Sequence, residues 1–178
     1  MIALKQSKKV SLCAVVSAIA VVIMLGSYFP YFTYATPAVA GLFMMIPLIE
    51  INPKYATLCY ITSAVLSLII AEPESALLYA LLLGYYPILK AIIEKLQKPV
   101  LEWAIKIIVF NIAVILVYFG MSFIFKISVD DFGTLGKYGA YIFLGLGNVV
   151  FVIYDIAISR MSVMYMTRVH PSIKRLFK

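Results

Sequence analysis

The sequence predicts an all-α integral membrane protein, a single bundle of six transmembrane helices over residues 1-178 with both termini in the cytoplasm. Three observations carry this. The composition is 64% hydrophobic and only 13% charged, whereas soluble domains are about half apolar and a quarter charged. The apolar residues fall in runs separated by short Pro-, Gly- or charge-containing turns. The basic residues concentrate on one side of that pattern.

Because a helix satisfies its own backbone in lipid, each long apolar run is read as a helix of about 20 residues. The first covers about 10-28. It follows a basic N-terminus, but the run is too long for the core of a signal peptide, so it reads as a retained helix. An aromatic connection follows, with Tyr28, Phe29, Pro30, Tyr31, Phe32 and Tyr34. The second helix, about 37-51, has Pro37 suited to its first turn; it is short for a bilayer, and Pro47 is placed to interrupt it. After Asn52-Pro53-Lys54 comes the third, about 55-71. The turn Glu72-Pro73-Glu74 leads to the fourth, about 75-96, with Pro87 near its end. Lys98-Pro99 breaks the chain before the fifth, about 101-125. The polar segment Lys126 to Lys137 reads as an external loop, and the sixth helix covers about 138-165 before a basic tail.

This order places thirteen of the fifteen Lys and Arg residues on one side, leaving only Lys126 and Lys137 on the other. Such a split is the positive-inside signature and fixes the predicted orientation. The net charge of +7 is therefore assigned to topology, and no nucleic-acid partner is expected. The surrounding partner is the lipid bilayer, and a bacterial cytoplasmic membrane is the expected location.

Catalytic chemistry is scarce. The single histidine, His170, falls in the basic tail, so neither a His-based metal cluster nor a His-dependent triad is expected. No GxSxG, HExxH or Gly-rich phosphate loop occurs. Glu72/Glu74 and Asp130/Asp131 fall in predicted external loops, where solubility is the favoured reading over an acid/base or metal role. Cys13 and Cys59 are read as buried spectators. The expectation is a protein that is not an enzyme, with no cofactor and no metal.

Several polar groups remain. Asn111 lies about eight residues into the fifth helix from the inner side, and Asn148 about ten into the sixth from the outer side. At about 1.5 Å per residue both reach mid-bilayer, either bonded to one another or lining a cavity. Asp155 needs a partner or an interface; the reading here is an interfacial charge near Arg160, with a contact to another subunit as the alternative. Lys90 and Glu94 form a surface i,i+4 pair by default. Tyr31 and Tyr34 in the first connection, with Tyr79 and Tyr141 (and Tyr138) near outer helix ends, form either an interfacial belt or a lid over an external pocket. Ala14 and Ala18 put two small side chains on one face of the first helix, which lets another helix approach.

In length, charge placement and the Ala14-xxx-Ala18 spacing, the chain resembles the substrate-binding S-components of energy-coupling factor transporters. The resemblance implies that Ala14 and Ala18 contact a transmembrane coupling subunit driven by two ATP-binding subunits. It also implies that the first external connection closes over a vitamin-like small molecule. Tyr31, Tyr34, Tyr79, Asn111, Tyr141 and Asn148 are then the candidate substrate-binding residues. The alternative is an envelope scaffold resembling rod-shape-determining membrane proteins, which needs lateral contacts but no ligand.

Overall fold

The computed structural model describes residues 6–123 and 139–171, and every regular element among them is helical. The expected loop with Lys126, Asp130, Asp131 and Lys137, the Tyr138 position, Lys5 and the tail lysines lie outside the described residues.

Helix α1 spans Gln6–Tyr28, beginning four residues before the expected start and closing in a tighter turn at Gly26–Tyr28. Helix α2 spans Ala35–Glu50. It is broken at Met44, between Ala35–Phe43 and Met45–Glu50. Pro47 explains the break: its ring crowds the carbonyl four residues back, at Phe43, and it donates no N–H. At about 1.5 Å per residue α2 is shorter than the hydrocarbon core.

Helix α3 spans Pro53–Ile70, capped by the Asn52 side chain accepting from the Tyr55 N–H at 3.0 Å, with Pro53 in the first turn. Pro at that position costs nothing because its missing N–H has no helical partner anyway. Helix α4, Pro73–Leu96, also starts on a proline and widens into a π turn at Tyr79–Leu83. Pro87 orphans the Leu83 carbonyl four residues back, and the Tyr154 hydroxyl takes it up at 3.2 Å. The Tyr60 hydroxyl donates to the neighbouring Ala80 carbonyl. Tyrosines from two other helices thus satisfy backbone that would otherwise face hydrocarbon unbonded.

Helix α5 spans Pro99–Phe123. Helix α6 spans Gly139–Met164 and continues in a π turn to Val169, so its regular structure outlasts the expected end. Five of the six, α2 excepted, contain apolar segments long enough to cross a membrane. Their outward surfaces fit that solvent: Ile69, Phe119, Leu146 and Val150 all stand exposed.

Short connections alternate α1 to α5 between two ends of the bundle. One end carries exposed Lys8, Lys54, Lys95 and Lys98 with half-buried Lys9, and is called the basic end. The other carries the α1–α2 connection and is called the aromatic end. Two larger packing centres, with a smaller one of Leu77, Val117 and Met121, fill the interior. Val16, Ala20 and Met24 of α1 meet Cys59 and Ala64 of α3 and Tyr79 of α4. Met45 of α2 meets Tyr86 of α4, Phe110 of α5 and Phe151 and Tyr154 of α6. In the second, Phe110 stacks on Phe151 at 4.6 Å, and Tyr86 meets Phe151 edge-on at 4.9 Å. Gly147 leaves room for the Phe110 ring, since a Cβ there would sit 3.3 Å from its tip.

Candidate functional site

Two regions of the bundle carry chemistry that packing alone does not require. The first is at the aromatic end. The α1–α2 connection is fastened over the turn between α3 and α4 by four hydrogen bonds. The Tyr28 hydroxyl donates to the Ile70 carbonyl at 3.1 Å, and the Glu72 N–H donates to the Ser27 hydroxyl at 3.2 Å. The Tyr34 hydroxyl donates to a Glu74 carboxylate oxygen at 2.7 Å, and the Thr36 and Ser75 hydroxyls meet at 3.1 Å. Burial, and then the Glu74 carboxylate beside it, push the Tyr34 phenol well above its ordinary pKa. Tyr31 stands 98% exposed with φ 75°, a left-handed backbone that an aromatic residue rarely adopts. Beneath this connection two buried polar atoms, the Ser67 hydroxyl and one Glu72 carboxylate oxygen, have no hydrogen-bond partner. Native interiors leave few such groups, and each calls for an explanation.

The second region is a buried ion network in the basic half. The Asp155 carboxylate on α6 accepts from Tyr86 at 2.6 Å and from Lys90 at 2.6 Å, both on α4. Lys106 of α5 reaches the same carboxylate at 3.1 Å. Glu94 bridges the two cations, 2.8 Å from Lys90 and 3.0 Å from Lys106. Lys90 also donates to the Asp155 carbonyl at 3.2 Å, so all three of its protons are used. Trp103 lies 5.3 Å from the Lys106 ammonium, within cation–π range. Two lysines and two carboxylates cancel. Lys90, Lys106 and Asp155 are almost wholly buried, while the Glu94 side chain is 43% exposed. A charge left alone at the centre of a bilayer costs about 2.5–3.5 kcal/mol even on the mildest scale. The pairing is therefore what permits these residues to sit inside.

This corrects the expectation for Asp155, which pairs across two helices rather than locally with Arg160. Lys90 and Glu94 form the expected i,i+4 pair, with Glu94 exposed, but Lys90 is buried and shared with Asp155. His170 is not in a free tail: it caps the end of α6 and its Nδ1 meets Glu50 at 2.8 Å, where Tyr165 also donates at 2.9 Å. Among the described residues no cluster of His, Cys, Asp and Glu has a metal-holding arrangement.

The expected substrate residues are distributed as follows. Asn111 and Asn148 bond to each other in both directions, at 3.1 and 3.2 Å, and each also donates to the carbonyl one turn back at 2.8 Å. Tyr31 and Tyr34 share the surface of the aromatic connection. Tyr79 is fully buried in the α1–α3–α4 core, bonded to Ser63 at 2.7 Å, and does not join them. The side chain of Tyr141 lies outside the described residues. Ala14 and Ala18 both stand exposed on α1, on the side turned away from its buried face. Cys13 and Cys59 are free thiols. Comparison with known protein families, characterised proteins and solved structures gives no match for this chain.

Proposed function

We propose that the chain is the membrane-embedded binding subunit of an uptake system of the energy-coupling factor type. It captures a small organic solute at the aromatic end and works with a separate coupling subunit and ATPases in a bacterial cytoplasmic membrane, the basic end facing the cytoplasm. The observation that carries this reading is the fastened aromatic connection above two buried, unpartnered polar atoms, Ser67 Oγ and Glu72 Oε2. A vitamin-like ligand with hydrogen-bonding groups would satisfy both, and the rings of Tyr31 and Tyr34 would cover it. Exposed Ala14 and Ala18 support the coupling part, because small side chains facing lipid let a partner helix come close without a hydrophobic driving force.

A second reading, an envelope scaffold, is favoured by one observation: the mid-bundle asparagines are spent on each other rather than turned to a cavity. Native mass spectrometry of the gently purified protein separates the two. A stoichiometric organic ligand lost on replacing Glu72 with Leu is the expected result. An empty protein that travels with cell-wall proteins and no ATPase would overturn transport in favour of the scaffold.

A further inference from the structure

A cleft of about 200 Å³ opens sideways between α3 and α4 in the basic half of the bundle, lined by Thr57, Tyr60, Tyr85, Ile88, Leu89 and Ile92. Two of its three hydroxyls are already used. The Thr57 hydroxyl is turned onto the Pro53 carbonyl at 2.9 Å, and the Tyr60 hydroxyl onto Ala80. Apart from the Tyr85 hydroxyl, what remains is methyl, ring and aliphatic chain. In water such a groove would mark a protein partner; on a face surrounded by hydrocarbon it is a groove for something already in the bilayer.

The rim names the occupant. On α3, Lys54 is one turn from Thr57 toward the basic end; on α4, Lys95 is one turn beyond Ile92. Both lysines are exposed, and neither makes an ion pair among the described residues. The stripe that lines the cleft therefore runs, on both of its walls, into a free cation at the membrane boundary. Lysine stems lie along apolar surface and hold their ammonium groups at the headgroup level. From Tyr85 to Ile92 the cleft follows about 10 Å of helix, a large part of one leaflet. A transmembrane helix, about 10–12 Å across with its side chains, is too thick for this volume, whereas a single acyl chain is not.

We propose that this cleft is a binding site for an anionic phospholipid, its acyl chain along Tyr60, Tyr85 and Ile88 and its phosphate between Lys54 and Lys95. The site is independent of the solute reading, being on the opposite half of the bundle.

The test uses the full chain in nanodiscs made of equal phosphatidylglycerol and phosphatidylcholine with identical acyl chains, read by native mass spectrometry of the lipids retained on ejection. Selective retention of phosphatidylglycerol is expected. In Lys54→Gln/Lys95→Gln that preference should fall by about fivefold for each lysine removed, the weight of one cation near an anionic surface. Ile92→Trp, a change at an exposed position, fills the cleft and should remove retained lipid of either kind. An unchanged melting temperature in all variants separates these effects from misfolding. Equal retention of the two lipids, an undiminished preference in the lysine variant, or a second copy of the chain in place of lipid would each overturn the proposal.

Discussion

The contact between α1 and α3 and the junction of α4, α5 and α6 solve the same problem by opposite means. Helices in lipid gain little from burying apolar surface against each other, since the solvent is as apolar as they are. At α1–α3 the answer is closeness. Ser17, Ala20, Ala56, Cys59 and Ser63 are buried and small, and the Ser17 hydroxyl reaches the Cys59 carbonyl at 3.2 Å. At α4–α5–α6 the answer is charge: large side chains keep the backbones apart, and ion pairs span the gap. Closeness tolerates no added volume. Charge tolerates no lost partner. The two junctions should therefore fail under different substitutions.

The largest effect is expected at Asp155. Replacing it with Asn keeps the shape but leaves Lys90 and Lys106 buried with Glu94 alone. Removing one member of a buried pair costs about 3–5 kcal/mol, mostly the penalty of the stranded charge. Asp155→Asn should lower thermal stability in detergent accordingly, and adding Lys106→Met should recover part of the loss by restoring neutrality. An Asp155→Asn protein as stable as the parent would show that charge does not hold this junction. The same cycle would also show whether the network holds the helices or holds a proton, since only the first predicts recovery on matched neutralisation.

At the α1–α3 contact the corresponding change is Ala20→Leu. Ala20 is fully buried, and forcing extra methylenes into a packed interface costs about 1–3 kcal/mol. The matched change on the other side of α1, Ala18→Leu, falls on exposed surface and should alter stability by less than about 0.5 kcal/mol. Should Ala18→Leu nevertheless abolish assembly with companion subunits, the outward face of α1 is a contact surface. Equal stability losses from both would mean that α1 packs in another register.

How far this contrast could be read in advance follows from what each junction is made of. The helices themselves were legible, because hydropathy runs and prolines act locally: Pro53, Pro73 and Pro99 each open a helix within two residues of the expected start. The mutual bond of Asn111 and Asn148 was one of two open readings, reached from depth alone. The ion network was not found, although a signal existed. Lys90 lies six residues before Leu96 and Lys106 seven after Pro99, so both reach about 10 Å into the bundle and neither could be an ordinary end charge. Counting them toward topology hid that. Asp155 was obscured differently. Helix α6 runs past the expected end, so a residue that looked close to the boundary is in fact well inside. The burial of Tyr79 was hidden because every face of α4 is apolar, leaving no periodicity to say which side turns inward. At the aromatic end the tyrosines were visible, but their fastening to Glu74 and Ile70 depends on contacts between distant turns.

Among the contacts that join helices, the smallest effect is expected at the asparagine pair of α5 and α6. Side-chain hydrogen bonds between membrane helices contribute about 0.6 kcal/mol on average, with the strongest near 1.7. Here each amide also donates to its own helix at 2.8 Å, so Asn111→Leu does not leave Asn148 wholly unbonded. A double-mutant cycle with Asn111→Leu and Asn148→Leu should give a coupling in that range, and the double variant should approach the parent, because replacing both partners strands nothing. A coupling of several kcal/mol would instead place the pair with Asp155, as a group whose loss exposes an unmet polar demand. If both single variants kept full stability but lost a retained solute, the amides would have a second partner that outweighs their bond to each other. The polar centre of the bundle would then belong to binding, and only the basic half to holding the helices together.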